Sequence, residues 1–220
     1  MSRVPRVDIG DEVYHVLNRS NGRVKIFNDD KDYKNFVDLL IETKEKFDMR
    51  ILAYCIMPNH WHLVLYPKKD GDLSKFMQWL SLTHTQRYHV KTETVGFGHL
   101  YQGRYKSFLV SRDNYLLKVI RYVEQNPLRA KIVKRAEDWK WGSGFNRFNP
   151  LEKNFVSECP IDLPNDYRQW LNEVHEEDEL ENIRLSVEKS KPFGTISWVD
   201  KMVETFKLGL TTRLRGRPTK

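Results

Sequence analysis

The chain has 220 residues, of which 40% are hydrophobic and 30% are charged, a balance typical of globular proteins. Its two cysteines, Cys55 and Cys159, are too few and too far apart for a disulfide framework or a zinc knuckle. No apolar run is long enough to cross a membrane, and the first residues lack the apolar stretch of a signal peptide. These features argue against a membrane protein or a disulfide-stabilised secreted domain, and we expect a cytoplasmic protein.

The charge is unevenly distributed along the chain. There are 37 Lys and Arg residues against 30 Asp and Glu residues, which gives a net charge of +7. The segment 83–135 carries eleven bases against three acids, the segment 171–189 seven acids against two bases, and the segment 201–220 six bases against one acid. A basic centre and a basic tail favour a polyanionic partner, most simply nucleic acid. A solvated basic surface would explain the same charges.

Hydrophobic periodicity predicts regular elements in a definite order. The expected elements are a strand at 12–18, a helix from a capping Asp29 or Asp30 to about residue 47, strands at 50–57 and 60–66, a helix at 72–88, a strand at 105–110, and a helix from 114 that Pro127 stops. Only Pro58 and Asn59 separate the second and third strands, which indicates an antiparallel hairpin. This order predicts an α+β fold of the split βαβ type (ferredoxin-like or RRM-like), an antiparallel sheet flanked by helices.

The composition changes after residue 150. Several prolines mark a linker there, and they precede an acidic helical stretch near 167–189 and a short helix at about 196–207. We therefore predict a first domain at 1–150 and a helical C-terminal extension at 151–220.

The extension ends in a basic tail that contains Arg213, Arg215 and Arg217. Its Arg-Gly-Arg-Pro core is similar to an AT-hook, which lays arginines along a narrow minor groove. A disordered tail that binds by charge alone is the alternative interpretation. In either case we expect these three arginines to contact DNA.

The sequence His60-Trp61-His62 is the most specific indication of a chemical site in the chain. Side chains alternate between the faces of a strand, so His60 and His62 should share one face while Trp61 enters the opposite layer. Two imidazoles on one face can converge on a divalent ion. A purely structural pair of histidines fits the spacing equally well.

The last helix of the predicted sheet domain could complete such a site. Tyr122 and Asn126 are four residues apart and therefore share a helical face. Asn126 offers a carbonyl oxygen to a hard metal ion, Tyr122 offers a nucleophilic hydroxyl, and Lys118 or Arg121 could hold phosphate. A core tyrosine followed by a helix-ending Asn-Pro is the alternative.

Other tyrosines compete with Tyr122 for a functional role. Tyr115 lies on nearly the same helical face, two turns earlier. Tyr101 and Tyr105 lie in the basic segment, where they could stack on unpaired bases. Cys55 is expected to be a buried strand residue on the side opposite the histidines, which makes a thiol nucleophile improbable.

Several blocks of the chain resemble one family. The stretch Met57-Pro-Asn-His60-Trp-His62-Leu-Val-Leu is similar to the histidine-hydrophobic-histidine (HUH) motif of the single-tyrosine transposases. The stretches Tyr-Gln-Gly-Arg-Tyr-Lys-Ser-Phe from Tyr101 and Arg-Tyr-Val-Glu-Gln-Asn-Pro-Leu-Arg-Ala from Arg121 resemble, in order and spacing, blocks of the REP-associated branch. The early Tyr-His-Val-Leu-Asn-Arg and the later Asp-Trp-Lys-Trp also match, so the likeness runs from about Val13 to Trp141.

The resemblance implies a role for each residue of the possible site. It implies that His60, His62 and Asn126 bind Mg²⁺ or Mn²⁺ and that Tyr122 is the nucleophile. Mobile relatives commonly use Gln as the third ligand, whereas here Gln125 is one position out of register and Asn126 takes that place. The implied substrate is the single-stranded or hairpin form of repetitive extragenic palindromes (REP or BIME).

We therefore predict a metal-dependent single-strand DNA endonuclease and strand transferase that forms a covalent 5′-phosphotyrosine. Arg104, Lys106, Lys118 and Arg121 should contact DNA together with the tail arginines. We expect a monomer or weak dimer that is associated with the nucleoid and binds no membrane. Two alternatives stay open: a hairpin-binding protein without catalysis, and a metal-dependent nuclease that uses water.

Overall fold

The computed structural model describes residues 6–149 and 155–213. Four strands form one sheet: β1 (Val13–Arg19), β2 (Arg50–Met57), β3 (His60–Tyr66) and β4 (Lys106–Val110). The helices are α1 (Asp30–Phe47), α2 (Asp72–Lys91), α3 (Asn114–Glu124), α4 (Asn126–Arg129), α5 (Ser143–Phe148), α6 (Tyr167–Asn172), α7 (Glu177–Lys189), α8 (Ile196–Thr205) and α9 (Gly209–Thr212). No helix within these ranges is long and apolar enough to cross a bilayer.

The sheet has the strand order β2-β3-β1-β4, and every neighbouring pair is antiparallel. Helix α1 connects β1 to β2 and helix α2 connects β3 to β4, so two βαβ units are interleaved. This arrangement confirms the predicted α+β fold of the split βαβ type. The expected hairpin is also confirmed, since β2 and β3 pair directly around Pro58 and Asn59.

Short-range sequence signals explain where the helices begin. The Asp29 carboxylate accepts a hydrogen bond from the Asp32 amide at 2.9 Å, which caps α1. The Asp113 carboxylate accepts one from the Tyr115 amide at 2.9 Å, which caps α3. Helix α3 ends at Glu124, slightly earlier than the stop expected at Pro127, and the short helix α4 follows at once.

The two faces of the sheet are covered by different helices. One face packs against α1 and α2 through an aromatic core that includes Phe36, Trp61 and Phe76. The other face packs against α3 and α7, with Val119 and Ile183 among the buried contacts. The second face is the one that carries the predicted site, because His62 and Val64 project from the same side of β3.

The structure corrects the prediction for Cys55. Cys55 pairs with His62 across β2 and β3, and opposite residues in a sheet share a face. The thiol is therefore buried on the same face as the histidines. Burial raises its pKa well above the ordinary value, so the thiol stays protonated near pH 7 and is a poor nucleophile.

The C-terminal extension is packed along both edges of the sheet. The Ser157 amide donates to the Ile51 carbonyl of β2 at 2.7 Å, and the Phe193 amide donates to the Leu109 carbonyl of β4 at 2.8 Å. Residues 141–143 also cover β2, since the Ile56 amide donates to the Trp141 carbonyl at 2.9 Å. These contacts satisfy edge groups that would otherwise be unpaired. The boundary near residue 150 stays a prediction.

Candidate active site

The alternation of side chains along β3 places its histidines as expected. The rings of His60 and His62 lie on one face with their centroids 5.1 Å apart. Trp61 points into the opposite layer, is fully buried, and donates through its indole nitrogen to the Tyr101 hydroxyl at 2.9 Å. The two imidazoles are therefore held side by side by a strand whose other face is fixed in the core.

A third histidine, which the sequence analysis did not single out, lies beside them. His15 is fully buried on β1, and its Nε2 shares a hydrogen bond of 2.9 Å with Nδ1 of His62. The only sequence signal for this contact was its position in the Tyr-His-Val-Leu-Asn-Arg block. That contact leaves Nε2 as the free nitrogen of the His62 ring.

Tyr122 lies against this group of histidines. Its ring meets His62 edge-on at 6.0 Å and His15 edge-on at 6.2 Å between centroids. Tyr115 points elsewhere on α3 and packs edge-on against Phe193 at 5.1 Å. Of the two tyrosines on this helix, the structure thus brings only Tyr122 to the histidines.

Arg129 is a second residue that the sequence analysis did not single out. Its guanidinium carbon lies 4.2 Å from the centroid of the Tyr122 ring, and it donates to the Tyr122 carbonyl at 2.6 Å. Burial lowers the pKa of Arg129, although a positive charge beside the phenol is retained. Arg129 is the last residue of the short helix α4, seven residues after Tyr122 in the chain.

The side chains of Asn126 and its neighbour Gln125 make different hydrogen bonds. The Asn126 amide nitrogen donates to the carbonyls of Tyr122 and Val123, each at 3.2 Å, so the side-chain nitrogen faces the helix end. The Asn126 side-chain oxygen has no hydrogen-bond partner within the described ranges. The Gln125 amide donates to the Leu171 and Glu173 carbonyls at 2.7 Å and attaches the C-terminal extension.

The protonation state of the histidines suits metal binding. Burial lowers the pKa of His60 to about 4 and holds the pKa of His62 well below its usual value, so both imidazoles are neutral near pH 7. Nδ1 of His60 shares a hydrogen bond of 2.6 Å with the Asn59 side-chain oxygen. Both rings therefore offer Nε2, in the manner of metal-binding histidines whose other nitrogen is hydrogen-bonded.

The side chains of His60, His62 and Asn126 would suit a divalent ion that accepts both nitrogen and oxygen ligands. No group of three or more His, Cys, Asp or Glu side chains in the described part of the chain is arranged to hold a metal. Two imidazole nitrogens from His60 and His62 with the amide oxygen of Asn126 would supply three ligands and leave positions for phosphate oxygens. Imidazole nitrogen favours Mn²⁺ over Mg²⁺ in such a mixed set.

The acidic extension covers part of the basic helix α3. The Lys118 ammonium lies 2.9 Å from a carboxylate oxygen of Glu179, and the Arg121 guanidinium lies 3.2 Å from the other one. Glu173 adds a further ion pair to Arg121 at 3.4 Å. DNA phosphates would have to displace these carboxylates before Lys118 or Arg121 could contact DNA.

The other predicted DNA contacts are distributed differently. Arg104 and Lys106 are exposed near the start of β4, and neither forms an ion pair within the described ranges. Arg213 is exposed after α9, whereas Arg215 and Arg217 lie outside the described residues. The tail arginines therefore stay predictions.

The two tyrosines of the basic segment differ in exposure from the prediction. The Tyr101 hydroxyl accepts the indole N–H of Trp61 and shares a hydrogen bond of 2.6 Å with Nδ1 of His84. Tyr101 is thus a core residue and does not present a ring for base stacking. Tyr105 is also mostly buried, with 8% of its surface exposed.

Comparisons with known proteins find relatives of one kind. The family described as "Transposase IS200 like" matches residues 10–126. A Haemophilus influenzae protein provisionally named a REP-associated tyrosine transposase is 24% identical over 121 residues, which cover 51% of this chain and 69% of that protein. A solved structure described as a REP-associated tyrosine transposase bound to a REP hairpin superposes with a TM-score of 0.58 at 18% identity and covers 80% of this chain and 100% of that one.

The structural likeness confirms the fold, and the sequence match confirms the family that the motifs suggested. The matched segment contains β1 to β4, helix α3 with Tyr122, and the first residue of α4, Asn126. Since it spans just over half of the chain, the protein belongs to the IS200-like transposase family of enzymes.

Proposed function

We propose that this transposase is a metal-dependent single-strand DNA endonuclease and strand transferase that acts on palindromic hairpin DNA of the REP or BIME type. Tyr122 is the nucleophile and forms a covalent 5′-phosphotyrosine. The observation that supports this most directly is the placement of the Tyr122 ring, edge-on to His62 with Arg129 over its face. A tyrosine beside a proposed metal ligand would be close to a phosphate that the bound ion makes more electrophilic.

The ligands that we propose for Mg²⁺ or Mn²⁺ are His60, His62 and Asn126. A bound ion would polarise the scissile phosphate and stabilise the leaving 3′ oxygen. His15 and Asn59 would orient the two rings, because each shares a hydrogen bond with Nδ1 and leaves Nε2 free.

The proposed cleavage needs no co-reactant, because one phosphoester bond forms as another breaks. The Tyr122 oxygen attacks phosphorus, its bond to phosphorus forms, and the bond from phosphorus to the 3′ oxygen of the preceding nucleotide breaks. The phenol proton passes to solvent, and the 3′ oxygen takes up a proton to become a free hydroxyl. The phosphoester energy stays in the protein–DNA bond, so attack by a 3′-hydroxyl can rejoin strands without ATP.

Arg129 holds the nucleophile in place in this scheme. Its contact with the Tyr122 carbonyl and ring restricts both the end of α3 and the phenol. Its charge also attracts a phosphate to the same place. Such fixed positioning is a large part of catalysis by proximity.

A solved structure of similar fold supports hairpin DNA as the substrate, since that protein is described as bound to a REP hairpin. Arg104 and Lys106 would contact phosphates near the start of β4. Lys118 and Arg121 would add contacts once DNA phosphates displace the carboxylates of Glu179 and Glu173. The tail arginines would add further contacts. We also propose that the protein acts in the cytoplasm on the nucleoid, as a monomer or weak dimer.

The test is incubation of the protein with labelled single-stranded hairpins from palindromes of the host genome, with and without Mn²⁺, followed by denaturing gels. We expect wild type and the matched control Tyr115→Phe to form a covalent adduct in Mn²⁺. Tyr122→Phe should lose at least about 10⁴-fold in cleavage rate, as removal of a nucleophile does, and should still bind the hairpin.

Three other outcomes contradict the proposal in different ways. Adducts with Tyr122→Phe but not with Tyr115→Phe would move the nucleophile to Tyr115. Cleavage without an adduct would indicate a metal-dependent nuclease that uses water. Tight binding with neither cleavage nor adduct would indicate a hairpin-binding protein.

A further inference from the structure

A buried carboxylate lies two residues after Tyr122 on helix α3. The side chain of Glu124 is fully buried, and the sequence analysis gave it no role. Acidic side chains are almost never fully buried unless they are paired. The groups that pair with Glu124 therefore indicate what it does in this protein.

Within the described ranges, three side chains donate hydrogen bonds to the Glu124 carboxylate. The Ser143 hydroxyl and Nε of Arg147, both on α5, donate to Oε1 at 2.6 Å and 3.0 Å. The Tyr167 hydroxyl on α6 donates to Oε2 at 2.6 Å. Hydrogen bonds to an ionised group are the strong ones, and they depend on direction. Both carboxylate oxygens are thus held in a fixed orientation.

Two of these donors also bond to the backbone of β2. The Ser143 hydroxyl accepts a hydrogen bond from the Tyr54 amide at 2.9 Å, and Nη2 of Arg147 donates to the Leu52 carbonyl at 2.9 Å. Tyr54 immediately precedes the residue that is paired with His62 across β2 and β3. The carboxylate is therefore connected to the sheet close to a histidine of the proposed site.

The other contacts of α3 hold it in a different way. Its apolar residues, such as Val119 and Val123, pack against the sheet, and apolar contacts are non-directional. The ion pairs of Lys118 and Arg121 and the hydrogen bonds of Gln125 go to the C-terminal extension. The directional contacts that lead from the end of α3 to β2 are those made through Glu124.

We propose that the Glu124 carboxylate is a positioning group for the reaction, because it fixes the end of α3 relative to β2 and so holds Tyr122 beside His62. The inference rests on the proposed function, since it needs Tyr122 as the nucleophile. Glu124 itself does not touch DNA, because it has no exposed surface. A misplacement of about 1 Å can cost about 100-fold in rate, so the loss of this anchor slows the chemical step more than it weakens DNA binding.

The partners of Glu124 lie outside the segment that matches the transposase family, which ends at residue 126. Ser143 and Arg147 belong to α5, and Tyr167 belongs to α6. Helices α5 and α6 therefore contribute to catalysis through the anchor, without placing a side chain beside the reacting phosphate.

Single-turnover cleavage of a labelled hairpin, at saturating hairpin and Mn²⁺ concentrations, tests this inference. Glu124→Gln keeps an oxygen that can still accept from Ser143 and Arg147. A combined variant carries Glu124→Leu, Arg147→Met and Tyr167→Phe. It replaces the buried ion pair and its tyrosine partner with apolar groups, an exchange that is often neutral for stability, and it removes the connection to β2.

The matched control is Leu39→Ala on α1, in the core of the opposite face. It should lower the stability of the protein without contact to α3. Hairpin affinity and the midpoint of thermal unfolding are measured on every protein, and all rates are taken well below that midpoint.

We expect the combined variant to cleave about 100-fold more slowly than wild type, with its hairpin affinity within about threefold. Glu124→Gln should cleave within about fivefold of wild type, because its hydrogen bonds are retained. Leu39→Ala should unfold at a lower temperature than the combined variant and still cleave within about twofold of wild type, because a cavity in the distant core leaves the reacting groups in place.

Three results would overturn the inference. The combined variant could cleave nearly as fast as wild type, or Leu39→Ala could lose as much rate, and either would show that Glu124 serves stability alone. Glu124→Gln could be as slow as the combined variant, which would show that the hydrogen bonds are not what matters.

If the combined variant does not fold, Ser143→Ala takes its place, since it removes one connection from Glu124 to β2. We then expect a loss of about 10-fold in rate at unchanged hairpin affinity, and an unchanged rate would overturn the inference. Adduct formation by wild type through Tyr122 would leave the proposed function intact in each of these cases. Wild type that forms no adduct would contradict the proposed function itself.

Discussion

The two faces of strand β3 show how one short segment serves stability and chemistry at once. On one face Trp61 is fully buried among α1 and α2. On the other face His60 and His62 lie beside Tyr122 under α3. Because side chains alternate along a strand, each residue that fixes the core also fixes the direction of its neighbours on the reactive face.

Both faces bury polar rings, but they satisfy them differently. On the core face the Tyr101 hydroxyl joins the Trp61 indole and the His84 imidazole in one hydrogen-bonded network. On the reactive face His15 uses Nε2 for His62, and its Nδ1 is buried without a partner in the described part of the chain. The core face has such groups too, since the Tyr105 hydroxyl and the Trp79 indole nitrogen are also buried without a partner among the described residues. Unsatisfied buried groups are costly, so both faces give up some stability.

Replacement of Trp61 should give the largest change in stability. Trp61→Ala removes a fully buried ring and a hydrogen bond, and we expect it to lower the free energy of unfolding by about 3–5 kcal/mol. His60→Ala, on the opposite face and partly exposed, should lower it much less. Chemical denaturation of both variants measures the difference, and equal losses would contradict the division of roles between the faces.

Replacement of either predicted metal ligand should affect metal binding more than stability. We expect His60→Ala and His62→Ala each to lose metal-dependent cleavage and to bind Mn²⁺ at least about 100-fold more weakly, because the loss of a direct ligand exceeds that of an outer contact. Titration with Mn²⁺, followed by its electron paramagnetic resonance signal, measures this without DNA. Unchanged affinity in both variants would remove the metal assignment.

The partner of His62 should matter less than His62 itself. His15→Phe keeps an aromatic ring but removes the nitrogen that bonds Nδ1 of His62. We expect a loss of about 10- to 100-fold in Mn²⁺ affinity, which is typical for outer contacts of a ligand. If the affinity stays within about twofold of wild type, His15 does not position the His62 ring.

Acid stability should report on the buried histidines. Burial lowers the pKa of His84 to about 3, while the unfolded chain has a histidine pKa of about 6.5. The unfolded state therefore binds a proton that the folded state excludes, so stability is complete above pH 6.5 and falls as the pH drops towards 3. His15 and His60 act in the same direction, with pKa values of about 3 and about 4.

We expect His84→Gln to reduce the pH dependence of the free energy of unfolding by up to about 1.4 kcal/mol per pH unit between pH 6 and 4. His99→Gln is the matched control, because His99 is exposed. Denaturation curves across this pH range give the slope. An unchanged slope in His84→Gln would show that His84 is not held neutral in the core.

The smallest expected effect concerns the basic tail. Removal of residues 211–220 should weaken DNA binding and make its salt dependence shallower, because fewer counterions are released. If Arg215 and Arg217 enter a minor groove, the loss should be greater for A·T-rich flanking duplex. A truncated chain that binds more tightly and cleaves faster would instead indicate an inhibitory tail.

Local periodicity was enough to predict much of this protein from its sequence. The two-residue repeat of a strand placed His60 and His62 on one face and Trp61 on the other, as the structure confirms. The order of strands and helices predicted the split βαβ fold. The motif blocks around His60 and Tyr122 resembled the single-tyrosine transposases, and the match to the IS200-like family confirms that resemblance. These signals are local, since they depend on backbone geometry within a few residues.

Other features depended on packing between distant segments. His15 lies 47 residues from His62 in sequence, so only the pairing of β1 with β3 brings the two rings together. The prediction for Cys55 was wrong because it needed the register between β2 and β3, which places Cys55 opposite His62. The ion pairs from Glu179 to Lys118 and Arg121 likewise depend on how the extension docks. Register and docking are set by the packing of whole elements, which no local pattern in the chain encodes.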